Sequence, residues 1–285
     1  MTAASHSVHS RALVLGGGGV TGIAWEVGVL TGLRDAGLDL GNADAIIGTS
    51  AGAFVGAAVA SGHDMGRMFA AQSAPNDTEV PVVASDETTA AWYDAFATGG
   101  SDPRKVGAAF GKIGKSNPEP IPIARRRAVV EGRLVTTDWP AALRVTAIDA
   151  DTGALHVFDR ASGVSLVDAV SASGAVPGVW PLARIDGRAW VDGGMVSTTN
   201  ARLADDYERV VVIAPMPAGY GAIPGAAEDG AAMSAHAAVL LIAPDAQSVA
   251  AIGPNPYDPD RRGPAAAAGR VQGASLAAVI ATIWA

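Results

Sequence analysis

Residues 13–22 have the sequence LVLGGGGVTG, in which a short apolar run leads into four consecutive glycines. Beyond them, Ile23, Val27 and Leu30 recur at the spacing of one helix face, and Gly37 suits the end of that helix. Glycine has no side chain to block its backbone amide, so several glycine amides at the positive end of a helix dipole can point together at a negative charge. The stretch therefore predicts a strand, an anion-binding loop and a helix, the opening unit of an α/β domain.

Two interpretations of this loop involve no hydrolysis. The spacing of Gly17, Gly19 and Gly22 matches the dinucleotide-binding pattern of a nucleotide-dependent oxidoreductase, which also needs an acidic residue at the end of the second strand. Asp39 and Asp44 both precede that strand, so the pattern is incomplete. The other interpretation is a purely structural glycine turn.

Under a third interpretation the loop is an oxyanion hole. The amides of Gly17, Gly18 and Gly19 would stabilise charge that develops on a carbonyl oxygen, each donor being worth about 10²–10³ in rate. Such a loop needs a nucleophile nearby.

A candidate nucleophile is Ser50, which follows the apolar run 45–47 within the sequence GTSAG of residues 48–52. This matches the G-x-S-x-G elbow, in which Gly48 and Gly52 let a strand and a helix meet at a sharp turn. Neighbouring parallel strands would bring both glycine-rich loops to the same carboxyl edge of a sheet. The alternative is a tight turn without chemistry.

A serine needs a base, and the five histidines lie in no obvious catalytic context: His6, His9, His63, His156 and His236. Asp192 is a better candidate because it follows an apolar strand and precedes Gly193 and Gly194, where the backbone must approach something closely. A structural Asp-Gly turn is the alternative. A triad of Ser50, Asp192 and His236 also keeps the chain order of α/β-hydrolases.

Strand patterns elsewhere fall at residues 143–148, 155–158, 210–213 and 239–242, and a hairpin turned by Asp186-Gly187 falls at 182–191. Helices are expected at 165–173 and 266–283, while 215–230 and 253–264 are predicted as loops. Residues 64–131 carry helical patterns and are a possible cap over a site. Alternating strands and helices predict one α/β domain, with a parallel or mixed sheet covered on both faces.

Composition narrows the function classes. The net charge of −8 gives no basic footprint for nucleic acid, and the one dense basic run, residues 125–127, is interpreted as a solvated helix face. Without cysteine there is no disulfide, thiolate catalysis or cysteine metal site, and no other metal constellation stands out. No secretion signal is expected at 1–11, and the apolar run 273–285 is too short for a membrane span of about 20 residues, which predicts a cytoplasmic protein.

The glycine loop, the Ser50 elbow and the Asp192-Gly193-Gly194 sequence, in this order, resemble the patatin-like phospholipases. Residues 171–177, SASGAVP, are similar to a further family block. The resemblance implies a three-layer sandwich with a mostly parallel sheet, formed by residues 11–285 after a tail at 1–10. It also implies a Ser50–Asp192 dyad, an oxyanion loop and a lipid or other carboxylic ester substrate, without a cofactor.

One departure from the family pattern is Thr21, which stands where the family usually has Arg or Lys. A missing cation there would change substrate preference or lower activity, and it leaves a catalytically weak lipid-binding protein as an alternative. Peripheral contact with a membrane surface is compatible with the family. Acyl chain length, head group and oligomeric state are not encoded in these motifs.

Overall fold

The structure is a computed structural model that describes residues 10–75, 79–116 and 121–284. His6, His9 and most of the expected tail lie outside the described residues. The strands are β1 (Arg11–Leu15), β2 (Ala45–Gly48), β3 (Leu143–Asp149), β4 (Leu155–Phe158), β5 (Ala183–Ile185), β6 (Arg188–Asp192), β7 (Arg209–Ile213) and β8 (Ala238–Ile242). The helices are α1 (Gly19–Asp35), α2 (Ala51–Ala60), α3 (Met65–Gln72), α4 (Asp86–Gly99), α5 (Pro103–Ser116), α6 (Ile123–Arg133), α7 (Leu166–Ser173), α8 (Ala226–Met233), α9 (Ala246–Ile252) and α10 (Arg262–Trp284).

The strands form one sheet in the order β5-β6-β3-β2-β1-β7-β8, with β4 paired to β3. The pairings from β3 through β2, β1 and β7 to β8 are parallel, whereas β4, β5 and β6 pair antiparallel. The predicted mostly parallel sheet, covered by helices on both faces, is confirmed.

The two faces of the sheet are covered because buried side chains alternate along each strand. Leu13 and Leu15 of β1 face the core shared with α1, α2, α7 and α10. Ala12 and Val14 face the opposite layer, which contains α8. Further along that layer, α5 packs on β3 and β6, and α4 packs on α5. Helix, sheet and helix thus form three layers.

Strand β3 shares one of its edges between two partners. Val145 pairs with β2 and also with β4, and Ile148 pairs with β4 and also with β6. Since a strand has only two edges, β2 and β6 must lie on the same edge, one after the other. Gly48, the last residue of β2, pairs with Val145 of β3. Asp192, the last residue of β6, pairs with Ala147, which is two residues further along the same edge of β3. The antiparallel β6 therefore delivers Asp192 to the carboxyl end of β2.

Two parts of the sequence prediction need correction. Helix α8 begins at Ala226, inside a segment predicted as loop because of its glycines and prolines. Helix α10 is longer than expected, and the helical stretch Pro259–Trp284 is long and apolar enough, by length and composition alone, to cross a membrane. The core helix of a folded domain passes the same test.

Helix α10 lies directly against α1. A Cβ atom added at Gly28 would lie 2.1 Å from the carbonyl oxygen of Ala266, and one added at Gly273 would lie 2.2 Å from that of Val29. Gly32 and Gly269 make equally close approaches across the same contact. Glycines on both helices are therefore what allows the two backbones to touch, and the contact fixes the helix that begins at the glycine loop.

Candidate active site

Ser50 occupies the turn between β2 and α2. Its backbone φ is +54°, a region that residues other than glycine rarely adopt. The flanking glycines are required sterically, because a Cβ at Gly48 would lie 2.6 Å from the Cα of Ala53 and one at Gly52 would lie 2.0 Å from the carbonyl oxygen of Leu15. The elbow is thus a strained strand-to-helix turn of the kind that presents a serine side chain.

A second serine holds this turn in place. The amide of Ser50 donates to the hydroxyl oxygen of Ser173 over 2.8 Å, and Ser173 is completely buried at the end of α7. Ser173 belongs to the 171–177 block that the sequence singled out, although its contact with the elbow could not be read from the pattern.

The side chain of Asp192 meets that of Ser50. Both side chains line the same cavity, and the amide of Gly194 donates to Oδ1 of Asp192 over 2.6 Å. Asp192 is 1% exposed. Burial raises the pKa of Asp192 to about 6, although the nearby Ser50 hydroxyl, the amide of Gly194 and the charge of Arg126 lower it in part. A carboxylate with such a pKa is a stronger base than an ordinary aspartate.

The glycine loop lies beside Ser50, with one change to the predicted set of donors. The amide of Gly17 donates to the carbonyl of Thr198 over 2.7 Å, so it is not free to bind an oxyanion. For the amides of Gly18 and Gly19 the described part of the chain offers no acceptor. These two amides stand at the start of α1, where the helix dipole favours negative charge. The candidate oxyanion donors are therefore Gly18 and Gly19.

A buried polar network joins the elbow to the aspartate loop. Asn200, in a left-handed backbone conformation, donates through Nδ2 to Thr49 Oγ1 over 3.0 Å and to the carbonyl of Gly193 over 3.1 Å. The hydroxyls of Thr49 and Thr146 lie 2.9 Å apart. Sequence reasoning missed this network, because Thr146 and Asn200 lie outside the motifs and come from separate segments of the chain.

Gly193 also has a steric role. A Cβ at this position would lie 2.4 Å from Thr146 Oγ1. The glycine that follows the aspartate is therefore needed for the chain to turn closely over β3.

An apolar cavity of about 230 Å³ ends at Ser50, Asp192 and the glycine loop. One face of α4 lines it, with Thr89, Trp92, Tyr93 and Phe96 at helical spacing. Trp92 is fixed through its Nε1, which donates to the carbonyl of Pro177 over 2.9 Å. Phe96 packs on Phe110 of α5 and on Tyr220, with ring centroids 5.0 and 5.2 Å apart. Within the 64–131 segment, α4 and α5 thus cover the site, whereas α3 packs on α1.

The three histidines that the structure describes do not reach Ser50. His236 is exposed and precedes β8, so it lies at the amino edge of the sheet, opposite the carboxyl edge that holds Ser50. The Ser50–Asp192–His236 triad considered from chain order is therefore wrong. His156 stacks with Phe158 and Trp190 on β4 and β6. His63 follows α2 and borders a different pocket.

Two positions near the loop differ from expectation. Thr21 is fully buried, its hydroxyl donates to the carbonyl of Pro256 over 3.4 Å, and it does not belong to the cavity lining. The interpretation of residues 125–127 as a solvated helix face is wrong for Arg126. This residue is 5% exposed and shares the inner face of α6 with Val129 and Val130, whereas its neighbour Arg127 is exposed.

The fold and this site define a three-layer α/β protein with a hydrolase-like serine at the carboxyl edge of its sheet. The chain belongs to the patatin-like phospholipase family, whose model matches residues 13–205.

Two solved structures are similar. VipD from Legionella pneumophila has 14% identity and a TM-score of 0.46, with 96% of this chain and 68% of that chain covered. The type III effector protein ExoU has 14% identity and a TM-score of 0.43, with 95% of this chain but only 53% of that chain covered. At the level of the family, membership supports lipid acyl hydrolysis as the activity.

Proposed function

We propose that this protein hydrolyses lipid acyl esters with Ser50 as nucleophile and Asp192 as base. The observation that carries the proposal is that Ser50 and the buried Asp192 carboxylate lie together at the inner end of an aromatic cavity, close enough for the Ser50 hydroxyl to lower the pKa of Asp192. The family supplies the substrate class, a lipid ester.

The reaction begins when Asp192 accepts the proton of the Ser50 hydroxyl and Oγ forms a bond to the ester carbonyl carbon. The carbonyl oxygen becomes an oxyanion, which receives hydrogen bonds from the amides of Gly18 and Gly19. When the tetrahedral intermediate collapses, the ester C–O bond breaks and the proton on Asp192 passes to the leaving alcohol. Asp192 then takes a proton from water, which attacks the acyl-serine, and the returned proton restores the Ser50 hydroxyl as the fatty acid leaves.

The aromatic cavity suits the acyl chain. Its lining is mostly apolar, with Trp92, Phe96, Phe110, Val176, Met195 and Met216 among the residues. Tyr93 is 69% exposed and so marks the open end of the cavity. A volume of about 230 Å³ is small for a ligand pocket, which typically has about 300–1,000 Å³. Short and medium chains would fit inside, whereas long chains would extend past Tyr93.

The test is hydrolysis of p-nitrophenyl esters of graded chain length by wild type, Ser50→Ala and Asp192→Asn, with His236→Ala as control. We expect both dyad variants to lose at least about 10³-fold in kcat and the His236 variant to match wild type. Activity retained by Ser50→Ala would refute the mechanism. A wild-type protein without turnover on any ester would instead favour the lipid-binding alternative.

A further inference from the structure

Arg126 stands out among the buried groups that the proposed mechanism does not use. It lines a narrow crevice beside Ser50, together with Arg133 of the same helix. This space, the arginine crevice, shares Gly19, Ser50, Val176 and Tyr257 with the aromatic cavity, so the two meet at the nucleophile.

The guanidinium of Arg126 is only partly satisfied. Its Nη2 donates to the carbonyl of Gly174 over 3.0 Å, and its face lies 4.2 Å from the centre of the Trp180 ring. Within the described residues, Nε and Nη1 have no hydrogen-bond partner, although both atoms are buried. Buried donors of a charged group without acceptors are costly, so an acceptor that is brought by a ligand would be bound favourably.

In the part of the chain that the structure describes, the crevice and its surroundings hold three arginines and two carboxylates. Arg133 is paired with the buried Glu79 through two hydrogen bonds of 2.9 and 2.6 Å. The second carboxylate, Asp192, acts on Arg126 through its charge. Among the described residues, Arg126 and the buried Arg262 donate hydrogen bonds only to carbonyl oxygens. Burial and the neighbouring Arg133 lower the pKa of Arg126 to about 9, which leaves it charged at neutral pH. A chain with a net charge of −8 thus keeps an incompletely compensated cation next to its nucleophile.

We propose that Arg126 is a specificity-determining residue that binds an anionic group of the substrate, a phosphate or a carboxylate, next to the ester. This inference rests on the proposed function. The acyl chain occupies the aromatic cavity, the ester lies at Ser50, and the anionic group of the alcohol part enters the arginine crevice. Arg126 thus provides, from α6, a cation that Thr21 does not provide from the glycine loop.

The crevice must widen when the anion enters, because its present volume is about 10 Å³, roughly that of one water molecule. The side chain in the way is Trp180, which covers the guanidinium. Binding is therefore expected to move the Trp180 ring and to change its fluorescence, which gives a readout independent of catalysis.

The turnover test uses three esters with one short acyl chain, whose alcohol parts are glycerol, glycerol phosphate and glycerate. We expect wild type to prefer the anionic esters. Arg126→Gln should reduce the ratio of kcat/KM for anionic over neutral ester by roughly ten- to a hundredfold, the range for a lost charged hydrogen bond, and Arg126→Lys should restore part of it. Arg127→Gln removes the same charge from the exposed face of α6 and should leave the ratio unchanged. The ester of glycerol phosphate and the ester of glycerate differ in their anionic group, so the one with the larger kcat/KM shows whether Arg126 prefers a phosphate or a carboxylate.

An equal loss on neutral and anionic esters would overturn the proposal, since Arg126 would then only hold Gly174 and the elbow. Binding is tested separately in Ser50→Ala with ether-linked analogues of the glycerol phosphate and glycerol esters, by calorimetry and Trp180 fluorescence. Tighter binding of the anionic analogue, lost on adding Arg126→Gln, supports the proposal even if the dyad mechanism fails. Equal affinity for the two analogues refutes it even if the dyad is confirmed.

Discussion

Replacing Asp192 by Asn should abolish activity and yet stabilise the protein at alkaline pH. The pKa of Asp192 rises from its ordinary 3.8 to about 6 because the carboxylate is buried. At about 1.4 kcal/mol per pH unit, the ionised form costs the folded state about 3 kcal/mol. Asn has the same shape, carries no charge and can still accept from the amide of Gly194, so the variant avoids most of this cost.

The sign of the pH dependence follows from proton binding. Below pH 3.8 both the folded and the unfolded wild type are protonated at this site, and the penalty is absent. As pH rises from 3.8 to 6 the unfolded state releases its proton first, so wild-type stability falls, and above 6 the penalty is complete. The advantage of Asp192→Asn should thus be about 3 kcal/mol at pH 8, about half of that at pH 5, and small at pH 4.

The assay is thermal unfolding of both proteins at pH 5 and pH 8. For a domain of this size, 3 kcal/mol corresponds to a Tm difference of about 5 °C or slightly more. Asp149→Asn is the matched control, since hydrogen bonds from Thr152 and Arg188 outweigh burial there and lower the pKa to about 2. That variant should be less stable than wild type at both pH values. A Tm difference for Asp192→Asn that is the same at pH 5 and pH 8, or that favours wild type at pH 8, would refute the reasoning.

Three further predictions concern the same site. With Asp192 as the proposed base, kcat/KM for a neutral ester should rise with pH through an apparent pKa near 6 and level off above about 7. A flat profile from pH 5 to 8 would contradict that role. Gly193→Ala should destabilise the protein by about 1–3 kcal/mol in chemical denaturation and lower kcat, because the new Cβ meets Thr146. Gly230→Ala, which makes no close contact, is the control. Asn200→Ala should lower the free energy of unfolding by about 1–3 kcal/mol, since it removes the donor to the buried carbonyl of Gly193 and one partner of Thr49. Unchanged stability would show that this network is not structural.

The chain order of motifs made much of this site predictable. The glycine at 48 is forced by the contact of β2 with α2, the glycine at 52 by the contact of α2 with Leu15 of β1, and the glycine at 193 by Thr146. Steric requirements of this kind leave a local signature in the sequence. The parallel strands around the elbow were predictable for a similar reason, since fully buried strands are continuous apolar runs.

Other features of the site depend on contacts between distant segments, which no local pattern encodes. Asn200 and Thr146 bond to the elbow but lie in unremarkable sequence. Arg126 sits in a run of three arginines, and only the orientation of α6 decides which of them is buried. The sequence does not distinguish the amide of Gly17 from those of its neighbours, and only the structure shows that it donates to the carbonyl of Thr198. The helix α8 was missed because glycine and proline outweigh its weak apolar pattern.

The close contact of α1 with α10 has a consequence for the timing of synthesis. Ser50 and the glycine loop are translated early, but α1 finds its backbone partner only after residues 262–284 have left the ribosome. Closing so long a loop is slow relative to local helix formation. A nascent chain would thus carry Ser50 and the glycine loop before the helix that follows this loop has its packing partner. The rigidity of the glycine loop beside Ser50 is therefore established late in folding, by a helix more than 200 residues away in sequence.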